Sequence, residues 1–423
     1  MMSIMDIEIL KKVIVEYQGF IEKVDFQRRD FAFEEAARYV LVGIRQAGKS
    51  YLMYQRARDL MSWGCAAEDI CYVNFDDERL IGFTAKDFDL LLEAYKSMFD
   101  RGPVLFLDEI QNIDGWEHFA RRAANQNYRV FITGSNAKML SREIATTLGE
   151  RYVAKNVYPY SFGEYLSASG ISLGKNWWYE GAKMSVRRTF ENYFRFGGFP
   201  ESLKYADKRD WLSGLFGRIF FNDMVVRNRV KNAEALRLCI KRLAENVCQP
   251  ISCTRLANLL KAVGYSTSAA SVLDYLRFMR ESCLIFSVAN HSAKFSEKES
   301  VKKHYFSDNG ILNLFLTNPD SALLENLCAI RLYRKYADGL FFVRRNAEVD
   351  FFVPDHGLAV QAAISVSDTD TLEREVSALV KLNSRCNLKR MLIVTLDEER
   401  TVAVEGGVKI EVVPVWKWLL DDL

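Results

Sequence analysis

Histidine and paired cysteines are scarce in this sequence. It has four histidines in 423 residues, and its eight cysteines are scattered without a Cys-x-x-Cys pair. Zinc sites need closely spaced Cys and His, so no structural zinc site is expected. Disulfide frameworks belong to short secreted chains, so none is expected here, and a reducing cytoplasm is the predicted setting.

Long apolar runs are also missing. No stretch approaches the roughly 18 apolar residues that a membrane helix needs. Residues 1–8 show no basic region followed by an apolar run, so neither a membrane span nor a secretory signal is expected. The composition, 49% hydrophobic and 26% charged, is that of a soluble globular protein. The length corresponds to about three domains.

Charge is unevenly distributed, although the net charge is only +2. The segment Arg227–Lys303 carries fourteen Lys or Arg against six Asp or Glu, a local excess of +8. Such a segment inside a near-neutral chain indicates a polyanionic partner, with double-stranded DNA as the candidate. A helical domain with solvated basic faces is the alternative, and charge alone leaves both open.

The first 160 residues alternate between predicted helices and predicted strands. Helices are predicted over 5–23 and 49–63, and strands over 38–42, 70–75, 104–107, 129–133 and 151–157. This order predicts an α/β fold with a mostly parallel sheet that is covered on both faces.

The pattern becomes helical after residue 160. One helical stretch covers 161–232 with a break at Gly197–Pro200, and three helical patterns follow between Ala233 and Phe286. Further strands are predicted at 284–286, 304–306, 339–343, 348–353, 358–364, 390–396 and 409–414. The three helices and the first two of these strands predict a winged helix, and the remaining strands predict a small α/β unit.

The segment after the first strand matches the pattern Gly-x-x-x-x-Gly-Lys-Ser/Thr. It consists of Gly43, Ile44, Arg45, Gln46, Ala47, Gly48, Lys49 and Ser50. Backbone N–H groups of such a loop cradle phosphates, Lys49 reaches the β- and γ-phosphates, and the Ser50 hydroxyl binds Mg²⁺. An apolar strand before the loop and a helix after it make an ordinary glycine turn a poor alternative. ATP and Mg²⁺ are therefore the predicted ligands.

Polar residues follow two later strands of the predicted sheet. After the strand 104–107, Asp108 is predicted to hold Mg²⁺ through water, and Glu109 is predicted to orient the attacking water. An acidic turn that closes a strand is the alternative. After the strand 129–133, Asn136 is predicted to contact the γ-phosphate and that water, with a helix cap as its alternative.

Phosphoryl transfer also needs a cation beyond the loop lysine to neutralise charge in the transition state. Arg151 is the preferred candidate and Arg142 the weaker one, each supplied by a neighbouring subunit. Solvated surface arginines are the alternative for both.

These motifs resemble those of prokaryotic AAA-type ATPases that carry a C-terminal restriction-endonuclease-like domain. The resemblance rests on Gly43–Ser50, Leu107–Gln111, Thr133–Asn136, Leu148–Tyr152, Tyr158–Tyr165, Gly197–Glu201 and Asn346–Phe351. It implies an ATPase module at 1–160, a helical lid at 161–232, a winged helix at 233–312 and the nuclease-like α/β domain at 313–423. In such families a Gly-Arg pair usually precedes the fifth strand, whereas Glu150 stands here in place of that glycine.

The nuclease-like fold implies an acid on one strand and Glu-x-Lys on the next, which together bind Mg²⁺ and activate water. Asp350 matches the first acid, and Glu325 is a candidate accessory acid. Gln361 and Ala363 stand where the glutamate and the lysine would be. An inactive domain that is kept for binding or docking is therefore expected.

Four lysines surround the predicted wing: Lys294, Lys298, Lys302 and Lys303. They suit duplex DNA phosphates, whereas many winged helices serve as protein-interaction modules. The predicted function is a cytoplasmic ATPase switch that couples Mg²⁺-dependent ATP hydrolysis to DNA binding, to docking of a protein partner or to self-association. An ATP-gated nuclease and a nucleotide-binding signalling scaffold with negligible turnover are the alternatives.

Overall fold

A computed structural model describes residues 5–140, 142–174, 177, 182–345, 347–404 and 409–421, with the backbone alone for Arg142, Glu143, Ala182 and Phe295. The chain divides into two compact units. The first runs to Tyr158 and includes Glu281–Cys283, and the second comprises Pro159–Arg280 and the residues from Leu284 onward.

The described part of the first unit contains a five-stranded parallel sheet in the order β2-β3-β4-β1-β5. Its strands are β1 (Tyr39–Val42), β2 (Ile70–Asn74), β3 (Val104–Asp108), β4 (Arg129–Gly134) and β5 (Val153–Asn156). Its helices are α1 (Ile7–Lys23), α2 (Lys49–Ser62), α3 (Phe88–Met98), α4 (Trp116–Asn125) and α5 (Arg142–Leu148). The predicted α/β order and parallel sheet are confirmed, with small shifts at the element ends.

An aromatic row crosses this sheet. Tyr39, Phe131, Phe106 and Tyr72 come from the adjacent strands β1, β4, β3 and β2 and occupy paired register positions. The rings of Phe106 and Phe131 have centroids 4.8 Å apart and are nearly parallel. Because alternate residues of a strand share a face, in-register aromatic residues stack across strands and hold the register. The row ends at Tyr72, which lies beside the end of β3.

The described part of the second unit contains a mixed nine-stranded sheet in the order β13-β14-β12-β11-β10-β9-β7-β8-β6. Its strands are β6 (Ile251–Ser252), β7 (Ile285–Asn290), β8 (Val301–Phe306), β9 (Phe341–Arg344), β10 (Glu348–Val353), β11 (Leu358–Ala362), β12 (Arg390–Thr395), β13 (Arg400–Ala403) and β14 (Lys409–Pro414). Its helices are α6 (Phe162–Ala168), α7 (Ala182–Phe196), α8 (Lys208–Arg218), α9 (Ala233–Glu245), α10 (Cys253–Ala262), α11 (Ala269–Glu281), α12 (Phe295–Ser300), α13 (Asn309–Asn313), α14 (Asp320–Tyr336), α15 (Thr369–Cys386) and α16 (Val415–Trp418). None of the described helices is long and apolar enough to cross a membrane.

The predicted wing strands and the predicted C-terminal strands form one continuous sheet. β7 pairs antiparallel with β8, β6 pairs with the other edge of β8, and β7 runs parallel to β9. The sequence segments 233–312 and 313–423 are therefore joined through backbone hydrogen bonds. Local periodicity indicates strands but carries no information about which distant strand each one pairs with.

A buried aspartate holds the break predicted at Gly197–Pro200. The Asp308 carboxylate accepts hydrogen bonds from the N–H groups of Gly198 (2.8 Å) and Gly310 (2.7 Å). Gly197 has a φ of +73°, and a Cβ there would lie 1.9 Å from an Asp308 oxygen, so only glycine fits. Burial raises the pKa of Asp308 to about 6, although the backbone donors act in the opposite direction.

Candidate nucleotide-binding site

The loop between β1 and α2 has the backbone shape that its glycines predict. Gly48 precedes α2 with a φ of +93°, a conformation that glycine adopts readily. A Cβ at Gly43 would lie 1.9 Å from the carbonyl oxygen of Val157, so a larger residue would displace the backbone at Val157. The loop leads directly into the N-terminus of α2, where backbone N–H groups lack intrahelical partners and are free to bind phosphate.

The Lys49 side chain is buried against this loop, with 4% of the residue exposed. Its ammonium group donates hydrogen bonds to the carbonyl oxygens of Gly43 (3.1 Å) and Ile44 (3.2 Å). It also lies 3.5 Å from Glu109 Oε1. Neutral carbonyl acceptors bind an ammonium group more weakly than phosphate oxygens do, so these contacts leave Lys49 exchangeable.

The two predicted Mg²⁺ ligands lie near each other. Asp108 is fully buried at the end of β3, and the nearby Ser50 side chain acts to lower the pKa of its carboxylate. Burial and the neighbouring Glu109 raise the pKa of Asp108, whereas its hydrogen bonds lower it. A hydroxyl and a carboxylate suit Mg²⁺, which takes oxygen ligands and usually retains several waters.

Two further side chains hold the Asp108 carboxylate. Tyr72 of β2 donates to Oδ2 at 2.5 Å, and Thr133 of β4 donates to Oδ1. Both residues are buried and lie on the strands that flank β3. Sequence analysis missed Tyr72 altogether, because only the strand order brings it to this carboxylate. The polar stretch after β4 was the one available signal for Thr133.

Glu109 directly follows β3 and has a left-handed backbone with a φ of +52°. This conformation is uncommon for a residue other than glycine and is enriched at functional sites. Its carboxylate accepts a hydrogen bond from Gln111 Nε2 at 2.5 Å, and that amide lies 3.3 Å from Ser135 Oγ. Burial raises the pKa of Glu109, but the Lys49 ammonium and the Gln111 amide outweigh burial and lower it overall. The lowered pKa favours the ionised form of the Glu109 carboxyl group.

The remaining predicted site residues make other contacts. The Asn136 side-chain oxygen accepts a hydrogen bond from the Lys138 N–H at 3.0 Å, which is the cap contact considered as its alternative. Arg151 is exposed and donates to the Gly149 carbonyl at 3.1 Å. Arg142 begins α5, and its side chain lies outside the described residues.

Glu150 occupies the position where the resemblance leads one to expect glycine. Its φ is +55°, in the left-handed region that glycine adopts more readily than glutamate. The turn before β5 thus keeps the backbone shape that suits the Gly-Arg pair, and the arginine follows in its expected position.

The predicted group of wing lysines needs one correction. Lys303 was expected on the basic surface, but it is only 5% exposed and its ammonium group contacts Glu325 and Asp350. Lys303 is the first of four consecutive buried residues in β8, so both faces of the strand are covered from this position on. Lys302, its neighbour, is partly exposed. Asn346, the first residue of one motif behind the resemblance, lies outside the described residues.

Two family models match the chain. One, described as an AAA domain, matches residues 36–166 and so includes the whole site around Lys49 and Asp108. The other, described as a domain of unknown function (DUF8612), matches residues 187–322. The parallel sheet, the loop Gly43–Ser50 and the acids at the end of β3 are the features of a P-loop AAA domain, and they lie within the residues that the AAA model matches.

The chain belongs to the same family as the uncharacterized protein MJ1544 of Methanocaldococcus jannaschii. The two are 30% identical over 449 aligned residues, which cover 99% of this chain and 100% of that protein. An uncharacterized protein of Haemophilus influenzae is 29% identical over 427 residues, covering 97% of this chain and 100% of its own. The Walker-type ATPase paby2304 of Pyrococcus abyssi aligns over 74% of this chain and 96% of its own at 13% identity. Its TM-score of 0.39 is too low to establish a shared overall fold.

Proposed function

We propose that this protein binds ATP with Mg²⁺ in the loop Gly43–Ser50 and hydrolyses it to ADP and phosphate. The observation that carries the proposal is that the buried Lys49 ammonium group lies 3.5 Å from Glu109 Oε1, next to the buried Asp108 carboxylate, whose pKa responds to Ser50. A metal-ligand pair, a phosphate-binding cation and an ionised carboxylate thus meet at one edge of the sheet. These are the parts that a P-loop ATPase needs.

Each residue of the site has a distinct role in this proposal. Ser50 and Asp108 would hold Mg²⁺, which neutralises charge on the β- and γ-phosphates when bound. Lys49 exchanges its carbonyl partners for phosphate oxygens. Glu109 accepts a hydrogen bond from the attacking water and orients it.

Two residues complete the proposal from outside this cluster. Asn136 contacts the γ-phosphate and the attacking water once its cap contact opens. Arg151, which is exposed, is supplied to the γ-phosphate of a neighbouring subunit and neutralises transition-state charge.

We further propose that ATP turnover is coupled to duplex DNA through a winged helix formed by residues 233–312. The order α9-β6-α10-α11-β7-α12-β8, with β6 paired to β8 and the short helix α12 connecting β7 to β8, supports this assignment. α11 begins just after the exposed Ser268, whose hydroxyl accepts the Ser271 N–H at 3.0 Å. Small polar residues at a helix start allow close approach to a phosphate backbone. Docking of a protein partner is the competing output of the same segment.

The test is ATP turnover by the purified full chain with Mg²⁺, with and without duplex DNA, compared with Glu109→Gln. Turnover that rises with DNA and is lost in the variant supports both parts of the proposal. The stimulation should weaken steeply with added salt if phosphates are contacted. ATP turnover that does not change when DNA is added favours docking of a protein partner as the output. No turnover under either condition favours the nucleotide-binding scaffold.

A further inference from the structure

The second unit contains a polar cavity of about 500 Å³ next to the acids that the nuclease-like resemblance singles out. Its lining includes Lys303 of β8, Glu325 of α14, Asp350 of β10, Gln361 of β11 and Glu375 of α15. The resemblance implies a divalent metal ion held by the acids of this group. Whether these residues fit a metal is decided by what their atoms already bind.

The Lys303 ammonium group lies between the two acids. Its Nζ is 2.9 Å from Glu325 Oε1 and 3.1 Å from Asp350 Oδ1. Tyr305 donates to the same Glu325 oxygen at 2.7 Å. Burial opposes the charge on Lys303, but Asp350 and Glu325 outweigh it and raise the pKa of the ammonium group. A charged group therefore occupies the space between the carboxylates and compensates them.

Gln361, which stands where the fold has a metal-binding glutamate, uses both ends of its amide elsewhere. Its Oε1 accepts the backbone N–H of Asp350 at 2.7 Å. Its Nε2 donates to the Glu348 carbonyl at 3.0 Å and to Glu375 Oε2 at 2.7 Å. The amide oxygen thus points at the backbone of β10 and is not directed toward the two acids.

The other Asp350 oxygen is also engaged. Asp350 Oδ2 accepts the backbone N–H of Ala362 at 3.2 Å, and Ala363, at the position of the fold's lysine, has no amine. Across the described ranges, no group of three or more His, Cys, Asp or Glu residues is arranged to hold a metal ion. A metal ion would have to displace Lys303 to reach both carboxylates, so the residues present do not fit one.

We propose that Lys303 is the resident cation of this cavity. Its ammonium group takes the place of a divalent metal between Glu325 and Asp350, and the second unit therefore neither binds Mg²⁺ there nor cleaves phosphodiesters. Lys303 also ties β8, at the end of the basic segment, to α14 and β10. The same contact that removes Lys303 from the basic surface thus stabilises the continuous sheet.

The experiment measures Mn²⁺ binding to the nucleotide-free full chain by calorimetry or by the spin-resonance signal of free Mn²⁺. Wild type and Asp350→Asn should bind Mn²⁺ equally. Lys303→Met leaves two facing carboxylates without a cation, and it should gain a Mn²⁺ site about a hundredfold tighter than any in wild type. That gain should vanish in Lys303→Met combined with Asp350→Asn. All variants keep the loop Gly43–Ser50, so any Mn²⁺ binding there is the same in each variant and cancels in the comparison.

Lys302→Met is the matched control, because Lys302 is the preceding residue of β8 and pairs at 3.0 Å with Glu299 at the surface. It should bind Mn²⁺ as wild type does. The proposal is overturned if wild type binds an equivalent of Mn²⁺ that Asp350→Asn loses, or if Lys303→Met folds and gains no site. Magnesium-dependent DNA cleavage that is lost in Asp350→Asn would also overturn it. If Lys303→Met does not fold, the comparison of wild type with Asp350→Asn still decides.

Discussion

Lys49 and Lys303 are both buried lysines beside acidic residues, but they are held in opposite ways. Lys49 donates to two loop carbonyls and lies 3.5 Å from one carboxylate, Glu109. Lys303 lies within 3.1 Å of two carboxylates, Glu325 and Asp350. The first arrangement leaves the cation available to an incoming anion, whereas the second already pairs it. The same residue types therefore give a loosely held lysine in one unit and a closed ion cluster in the other.

The difference comes from where each lysine enters its site. Lys49 begins α2, and the loop before it supplies neutral carbonyl acceptors from Gly43 and Ile44. Lys303 reaches its acids from β8, a strand that packs beside α14 and near β10. Buried ion pairs cost desolvation and are kept together by mutual attraction, so breaking one side leaves uncompensated charge.

The largest expected effects come from replacing each of the two lysines by methionine. One replacement should weaken ATP binding, and the other should lower stability. Lys49→Met should weaken Mg²⁺–ATP binding at least about a hundredfold, because the phosphate charge loses its cation. Lys303→Met should leave ATP binding unchanged but lower the free energy of unfolding by about 3 kcal/mol or more. Titration with ATP and urea unfolding of both variants measure the two effects. Equal stability losses in both variants would contradict the contrast between an exchangeable and a paired lysine.

Next in size is the effect of Glu109→Gln on catalysis. The neutral amide oxygen accepts a hydrogen bond from water more weakly than the ionised carboxylate does. Turnover should therefore fall about a hundredfold while ATP binding persists. Steady-state ATPase rates and nucleotide titration measure the two quantities. Glu78→Gln makes the same chemical change at an exposed position and should behave as wild type. Near-normal turnover in Glu109→Gln would show that another residue orients the attacking water.

A smaller effect is expected from Tyr72→Phe, which removes the hydroxyl that orients Asp108. The Mg²⁺ concentration for half-maximal turnover should rise about tenfold, since one oxygen of a buried carboxylate loses its partner. Tyr95→Phe is the matched control: it is also buried in the first unit, but its hydroxyl donates to the Glu68 carbonyl. If both variants shift the Mg²⁺ requirement equally, Tyr72 acts through packing alone.

The smallest expected effect is a pH dependence from Asp308. Its pKa is raised by burial to about 6 in the folded protein and is about 3.9 in an unfolded chain. Its contribution to stability is therefore complete below about pH 4 and is lost as pH rises through 6. Wild type should exceed Asp308→Asn in free energy of unfolding by about 1 kcal/mol more at pH 5.3 than at pH 7.

Urea unfolding at the two pH values measures this difference. His304 titrates in the opposite sense, since burial lowers its pKa to about 3, but it is present in both proteins and cancels. Asp355→Asn, the same substitution at an exposed position of the same unit, is the matched control. A constant difference between wild type and Asp308→Asn would show that Asp308 does not titrate in this window.

The nucleotide site was largely predictable because its signals are local. Gly43–Ser50 follows its strand directly, and Asp108 and Glu109 end another apolar strand, so each motif carries its own context. Tyr72 and Gln111 could not be assigned in the same way. Their roles depend on the order of strands and on a turn that brings Gln111 back to Glu109.

In the second unit, less of the site could be predicted from the sequence than in the first unit. The sequence indicated most of its strands and marked Glu325, Asp350, Gln361 and Ala363, and from these it predicted an inactive nuclease-like domain. It also assigned Lys303 to a basic surface, which is wrong, because charge counting does not show where along a strand both faces become covered.

The loop Gly43–Ser50, the acids Asp108 and Glu109 and the α/β order of the first unit could be predicted from the sequence, because these features depend on residues close together in the chain. Which buried lysine meets which acids depends on the three-dimensional fold. Lys303 is 22 residues from Glu325 and 47 from Asp350, and strand pairing across those distances follows from packing of the whole sheet. That pairing is what separates a site open to a ligand from one closed by its own lysine.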